Sequence, residues 1–181
     1  MIGDRFKQGV VPTPTTYHLP PALSRGQRVA EAIERAVSGP VWHGPSLSDL
    51  VGDVTAEQAG QHPIAAAHSI WELVLHVTAW TEIVRQRLVS TSAVEATPEQ
   101  DWPHVGDASA EEWRAAVQRL KDAHRELAED VAVLDDSRLI GRVAGREHSV
   151  LAMVHGIIEH DAYHGGQIAL LKRAMGRAPE P

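Results

Sequence analysis

Apolar residues recur at helical spacing in four stretches of the chain, and three of these open on a Ser-x-x-Glu/Gln capping signature. The first stretch runs from about Pro21 to Ser38, with Ala30, Ile33 and Val37 on one side, and stops at Gly39-Pro40. Ser24 and Gln27 have capping-box spacing there, while Pro20-Pro21 suggests a slightly earlier start. The second begins at Ser69 with Glu72, and carries Ile70, Leu73, Val74, Val77, Trp80, Val84 and Leu88 as its stripe. The third begins at Ser109 with Glu112. Its Trp113, Val117, Leu120, Leu127, Val131 and Leu134 follow a four-three spacing that serves a bundle seam or a homodimer equally well. The fourth opens near Ser149, continues through Val150, Met153, Val154, Ile157, Ile168, Leu171 and Met175, and ends at Gly176.

The connections are uneven. Residues 39–68 hold short helical pieces headed by Ser46 and by Thr55 with Gln58, and residues 91–107 form a Pro-containing loop. The segment Arg142–Ser149 has a Gly turn that can make a small hairpin. With no internal repeat and no strand-rich block, the pattern predicts an all-α fold, a four-helix bundle with a long crossover between helices 1 and 2. One domain is expected over residues 21–176, with an N-terminal extension at 1–20 and a C-terminal tail at 177–181.

Composition narrows the function classes. In 181 residues, 17 Lys and Arg face 24 Asp and Glu for a net charge of −7, which speaks against nucleic-acid binding through a basic surface. No apolar run approaches the roughly 18 residues of a membrane span, and the opening residues lack the apolar region of a secretory signal. A cytoplasmic protein is expected. Cysteine is absent, so disulfides, thiolate nucleophiles and Cys-based metal sites are excluded. Histidine, with 11 residues, is abundant. Five of the eight aromatic residues are Trp, which suggests packing anchors or pocket walls.

Helical phase makes three of the histidines informative. At about 100° per residue, His164 lies about 40° and His160 about 80° from the centre of the fourth helix's apolar stripe. Being four residues apart, they share one face. His76 sits at the edge of the second helix's stripe, beside Trp80. Three imidazoles from two helices can therefore meet at one inward-facing point. A single buried His is more often a core residue with one hydrogen bond. Two at i,i+4 bring four ring nitrogens into a dry place, and a divalent metal with outer acceptors satisfies them.

The string His160-Asp161-Ala162-Tyr163-His164-Gly165-Gly166-Gln167-Ile168 closely resembles the H-x-x-x-H-x-x-Q-I/L signature on the last helix of DinB/YfiT-like proteins. His68 to Trp80 resembles that family's second helix, with a metal histidine followed by an aromatic, and Trp42–Leu47 and the Thr55–Ala59 turn resemble its YfiT-like branch. The resemblance spans roughly residues 22–175. It implies a bundle of four main helices, usually dimeric, that binds one divalent metal ion per chain through His76, His160 and His164. Zinc and nickel are the first expectations for the metal. For activity it implies either a transferase working with a low-molecular-weight thiol, as in bacillithiol S-transfer and mycothiol-dependent isomerisation, or a hydrolase using metal-bound water. A non-catalytic bundle or dimer stabilised by metal, with a stress-related binding role, is the alternative; metal storage or sensing fits less well without a nucleic-acid-reading element.

Three neutral imidazoles leave a coordination position open, as catalytic rather than structural sites do. In a cysteine-free chain the nucleophile arrives from outside, so the expected partner is a small molecule, with a thiol among the candidates, and neither nucleic acid nor membrane. Asp161, about 20° from the stripe centre, either orients a ligand or bonds to another helix or a dimer mate. Tyr163 lines the pocket or simply packs. His43, in the Trp42-His43-Gly44 turn, either reaches the site mouth as acid/base or is an exposed loop histidine. His124, on the third helix's seam, reads first as a core or interface residue and only second as a fourth ligand; His148 and His155 fall off the inward face. Gly165-Gly166 sacrifices helix stability, roughly 1 kcal/mol per glycine, to let a backbone or substrate approach.

Overall fold

Cap chemistry sets where each long helix begins. The Ser24 hydroxyl accepts from the Gln27 amide at 3.1 Å while the Gln27 side chain accepts from the Ser24 amide at 2.8 Å. This reciprocal pair starts α1 (Arg25–Ser38) four residues after Pro21. Ser69 and Glu72 form the same box ahead of α4 (Ile70–Val89). Ser109 accepts from the Glu112 amide at the head of α6 (Ala110–Ala132), and Ser149 from the Ala152 amide at the head of α8 (Val150–Ala174). The 39–68 connection contains α2 (Leu47–Val51) and α3 (Ala56–Ala59), capped by Ser46 and Thr55 as their spacing predicts. Two further short helices, α5 (Pro98–Asp101) and α7 (Asp136–Ile140), lie in the later connections. The 142–149 hairpin is a single antiparallel bridge, Arg142 to Ser149, turned by Gly145 at φ +71°. This computed structural model describes residues 22–42 and 44–176; the expected N-terminal extension, the Pro21 start, His43 and the C-terminal tail lie outside the described residues. Among the described residues no helix is long and apolar enough to cross a membrane.

The four long helices bury two apolar clusters stacked along the bundle axis. One joins Val37 of α1, Leu73 and Val77 of α4, Trp113 and Leu120 of α6, and Ile168 and Leu171 of α8 to the 47–59 segment. The other joins Val29 and Ile33, Val84 and Leu88, Leu127 and Val131, and Val150, Val154 and Ile157. Reading each helix from one cluster to the other gives its direction. Helices α4 and α6 run the same way, and α1 and α8 run opposite to them. Residues 90–109 must therefore travel back along the whole bundle between α4 and α6, whereas 39–68 stays at one end. The α6 seam faces α1 and α4 of the same chain.

Trp71 and Trp113 are packing anchors. Their rings lie 5.2 Å apart, and Trp113 Nε1 donates to the Val54 carbonyl at 2.7 Å, tying the crossover to α6. Gly26 brings α1 against the end of α6: a Cβ there would lie 2.6 Å from the Val131 oxygen and 2.8 Å from that of Leu134. Backbone carbonyls at a helix end cannot swing aside. Gly26→Ala should therefore destabilise the protein by about 1–3 kcal/mol through overpacking, despite alanine's better helix propensity. A fall in the urea midpoint at unchanged slope is the expected reading; a rise would mean that α1 shifts freely on α6.

Between the two apolar clusters lies one polar layer. His124 of α6 and Asp161 of α8 are both essentially inaccessible, with Nε2 and Oδ2 3.2 Å apart, and Thr81 of α4 places its hydroxyl 3.1 Å from the same nitrogen. His124 Nδ1 faces the Leu120 carbonyl at 2.7 Å. Burial pushes the imidazole toward neutrality, but the Asp161 carboxylate outweighs it and raises the His124 pKa above the usual value. The pair joins three helices at the level of the histidines next to it on α8.

Candidate metal centre

The Ser69 cap fixes the phase of α4, which turns His76 inward in the second helical turn. On α8, burial follows the order that helical phase predicts: Asp161 is sealed, His164 is buried and His160 is half-buried. The three imidazoles converge. His76 Nε2 lies 3.0 Å from His160 Nε2, and His164 Nε2 lies 3.1 Å from the same atom. This is the one group of ligand-type side chains among the described residues close enough to share an ion.

The outer ring nitrogens decide the tautomers. His76 Nδ1 faces the Asp101 main-chain oxygen at 2.6 Å, and His164 Nδ1 faces Gln167 Oε1 at 2.7 Å. Each must donate its proton outward, which leaves the Nε2 lone pairs of both rings pointing at His160. A neutral His160 can offer one proton to one of them. Its own Nδ1 is buried and has no partner among the described residues. The donor set thus fits a divalent cation: three neutral nitrogens, two of them fixed from behind, with lone pairs that otherwise repel.

Burial keeps all three rings neutral. It lowers the pKa of His76 and of His164, and it drives His160 from the ordinary 6.5 down to about 3, helped by its two neighbours. The linkage has a definite sign. Between pH 6.5 and about 3 the unfolded chain protonates at His160 while the fold does not, and the lowered His76 and His164 act in the same direction, so stability present above 6.5 is lost as pH falls. Urea midpoints of the metal-free protein should drop from neutral pH toward about pH 4, and His160→Ala should flatten that dependence. An equally steep curve in the variant would show that other groups carry it.

The walls come from the connection that spans the bundle. Trp102 stacks between His68 and His76, with centroids 3.5 Å and 3.9 Å away and planes within 10° of parallel. Asp101 accepts from Trp80 Nε1 at 2.6 Å and sets its carboxylate 3.3 Å from His76 Nδ1. Asp101 did not stand out in the sequence, and Trp102 did so only as one of the five tryptophans read as packing anchors or pocket walls. The Thr97-Pro98-Glu99-Gln100 cap that starts α5 and delivers them was the available signal.

The other sequence candidates separate. Asp161 bonds to His124 and to none of the three clustered imidazoles. Tyr163 is 64% exposed, its ring edge-on to His164 at 4.9 Å on the rim of the site. Gly165 packs on the side chains of Leu47 and Leu50 rather than on another backbone, and Gly166 faces open space. His148 lines the groove that leads away from the cluster, although its helical phase had set it aside.

That groove has a volume of about 560 Å³ and runs between α4 and α8, from the three histidines past Trp80 and over Val84, Met153 and Ile157. A cluster of neutral imidazoles thus sits at one end of a partly apolar channel. With a divalent ion held by the three imidazoles, such a site could polarise a donor on its open side while the channel takes an organic substrate.

The chain is similar to known proteins in sequence profile and in fold. The sequence profile of the DinB superfamily matches residues 42–168, a span that includes all three clustered histidines. The solved structure of YfiT from Bacillus subtilis, described as a probable metal-dependent hydrolase with an unusual four-helix bundle topology, is similar at a TM-score of 0.64. The identity is 16%, over 90% of this chain and 95% of that one, so the likeness is one of fold. No curated protein sequence matches the chain.

Proposed function

The chain belongs to the DinB superfamily, and from that premise we propose that it is a metal-dependent enzyme whose external nucleophile, a thiol or water, attacks a small electrophile held in the α4–α8 groove. His76, His160 and His164 hold one divalent ion, with zinc and nickel the first expectations among the metals that imidazoles accept. The observation that carries this reading is the convergence of three Nε2 atoms at 3.0–3.1 Å, with two of the rings anchored outward. The description of YfiT as a probable metal-dependent hydrolase supports it.

The ion when bound supplies Lewis acidity, which lowers the pKa of a thiol or water donor. The protein supplies the rest. Asp101 and Gln167 hold the tautomers of His76 and His164, so neither ring needs to reorganise during reaction. The stacked Trp102 fixes the plane of His76. Trp80, Val84, Met153 and Ile157 give the channel an apolar wall beside the cluster. Tyr163, on the rim, is placed to donate a proton to a substrate oxygen or leaving group. The chain has no cysteine, so a thiol route requires a diffusible thiol.

Cobalt substitution tests the reading. Titrating cobalt-loaded protein with a small thiol should shift and intensify its visible bands, and Tyr163→Phe should preserve that shift while slowing turnover. Bands indifferent to thiols would remove the transfer branch and leave hydrolysis. If removing the metal collapses the helices, the ion is structural and the enzyme reading fails.

A further inference from the structure

The groove does not end at the apolar residues. Past Trp80, Arg87, Asp101 and His148, which line both parts, it opens into a recess of about 430 Å³ bordered by Arg146 and Glu95. Arg87 is only 8% exposed, and the described hydrogen bonds engage only its Nε, which donates to the Val94 carbonyl at 3.0 Å. Arg146 Nη2 reaches the same carbonyl at 3.2 Å. Two guanidinium groups therefore share one neutral acceptor, and both border this recess in a chain of net charge −7.

Compensation there is incomplete. Glu95 pairs with Arg146 and is itself 69% exposed, while Arg146 Nε is buried without a partner among the described residues. Burial and the charge of Arg146 weigh against ionisation of Arg87 and outweigh the nearby Glu95 carboxylate, which favours it. The Asp101 carboxylate on the recess wall accepts from Trp80 Nε1, so the described hydrogen bonds give the buried Arg87 no carboxylate of its own, which is costly unless something else supplies the negative charge. The groove itself is kept clear: a Cβ on Gly156, one turn before His160, would meet nothing within 4 Å.

Resting on the functional reading above, we propose that Arg87 and Arg146 form an anion subsite that receives the carboxylate of a substrate with an apolar or aromatic body, whose reactive end lies at the histidine cluster. The spacing suits such a molecule. The Arg87 guanidinium lies 5.4 Å from the Trp80 ring, and that ring lies 6.2 Å from His160. The Arg87 guanidinium and the His160 ring are thus separated by no more than those two spans laid end to end, with Trp80 flanking a substrate body between them. Guanidinium forks suit planar carboxylates, and the apolar floor rejects a fully polar ligand.

The test uses 4-phenylbutyrate and its uncharged amide as probes in ¹H–¹⁵N titrations that follow the Trp80 indole, on metal-loaded and on chelator-stripped protein. The acid should bind saturably and at least roughly tenfold more tightly than the amide, as expected for a hydrogen bond to a charged group. Arg87→Gln should weaken it roughly ten- to a hundredfold. Arg146→Gln, on the partly exposed hairpin, should weaken it too and serves should Arg87→Gln misfold. Glu95→Gln, which removes the competing carboxylate from the surface, should tighten binding. This arginine dependence should persist without metal.

Equal binding of acid and amide, indifference to the arginine substitutions, or no saturable binding of the acid would overturn the subsite. Binding that vanishes with the metal but ignores the arginines would place the carboxylate on the histidine cluster, overturning the subsite while leaving the metal reading intact. Arginine-dependent binding by a protein that takes up no metal would uphold the subsite and sink the metal reading.

Discussion

His160→Ala should lower divalent-metal affinity by more than the roughly 10–100-fold that loss of an outer hydrogen-bond partner costs. His160 is the nitrogen common to both close contacts, so its removal leaves His76 and His164 without a bridging ligand. Gln167→Leu makes the graded comparison. It removes only the acceptor behind His164 and should fall within that 10–100-fold range. Competition titrations against a chelator of known affinity give both values. The metal-free His160→Ala protein should be at least as stable as the parent, because the substitution removes a half-buried ring whose buried Nδ1 has no partner among the described residues and whose Nε2 meets two lone pairs. Equal metal affinity in parent and variant would place the ion elsewhere.

Asp161→Ala should have the largest effect on folding, about 3–5 kcal/mol, the range for breaking a buried ion pair on one side. Total stability of a domain this size is commonly about 5–15 kcal/mol, so the variant keeps little reserve. It strips His124 of the carboxylate that holds its proton and frees α8 from α6 beside the histidine cluster. Metal affinity should weaken with it. The pH dependence has a sign. The raised His124 pKa means that the pair's contribution is full below the ordinary 6.5 and fades as pH rises through the folded value. The loss on substitution should thus be greater at pH 6 than at about pH 9. Replacing His124 and Asp161 together by Leu should recover much of the stability, since apolar replacement of a whole buried pair is often neutral or better. Chemical denaturation of the single and double variants measures each of these.

What the sequence revealed was local or periodic. Ser24, Ser69, Ser109 and Ser149 mark helix starts because a cap is a bond between near neighbours, and one turn of chain contains the whole signal. His76, His160 and His164 were legible as a group because phase on a helix is set by counting. Phase also placed Asp161 in the interior but not its partner, since the meeting with His124 depends on how α6 and α8 slide past one another. Asp101, and the place of Trp102 beside His76, were hidden for a related reason. They reach the site only because α4 and α6 run the same way, which sends residues 90–109 back along the bundle past His76. Arg87 and Arg146 look like ordinary surface charges in the sequence; their shared contact on Val94 exists only once the hairpin has folded against that connection.

The most direct measurement is the metal-to-chain ratio of the parent protein, purified without a nickel column, reconstituted with zinc and desalted. The expected result is close to one ion per chain, falling toward zero in His160→Ala while both proteins keep the same helical circular dichroism. A parent that retains no ion under these conditions, or a variant that retains as much as the parent, would contradict the three-histidine centre on which the functional reading stands.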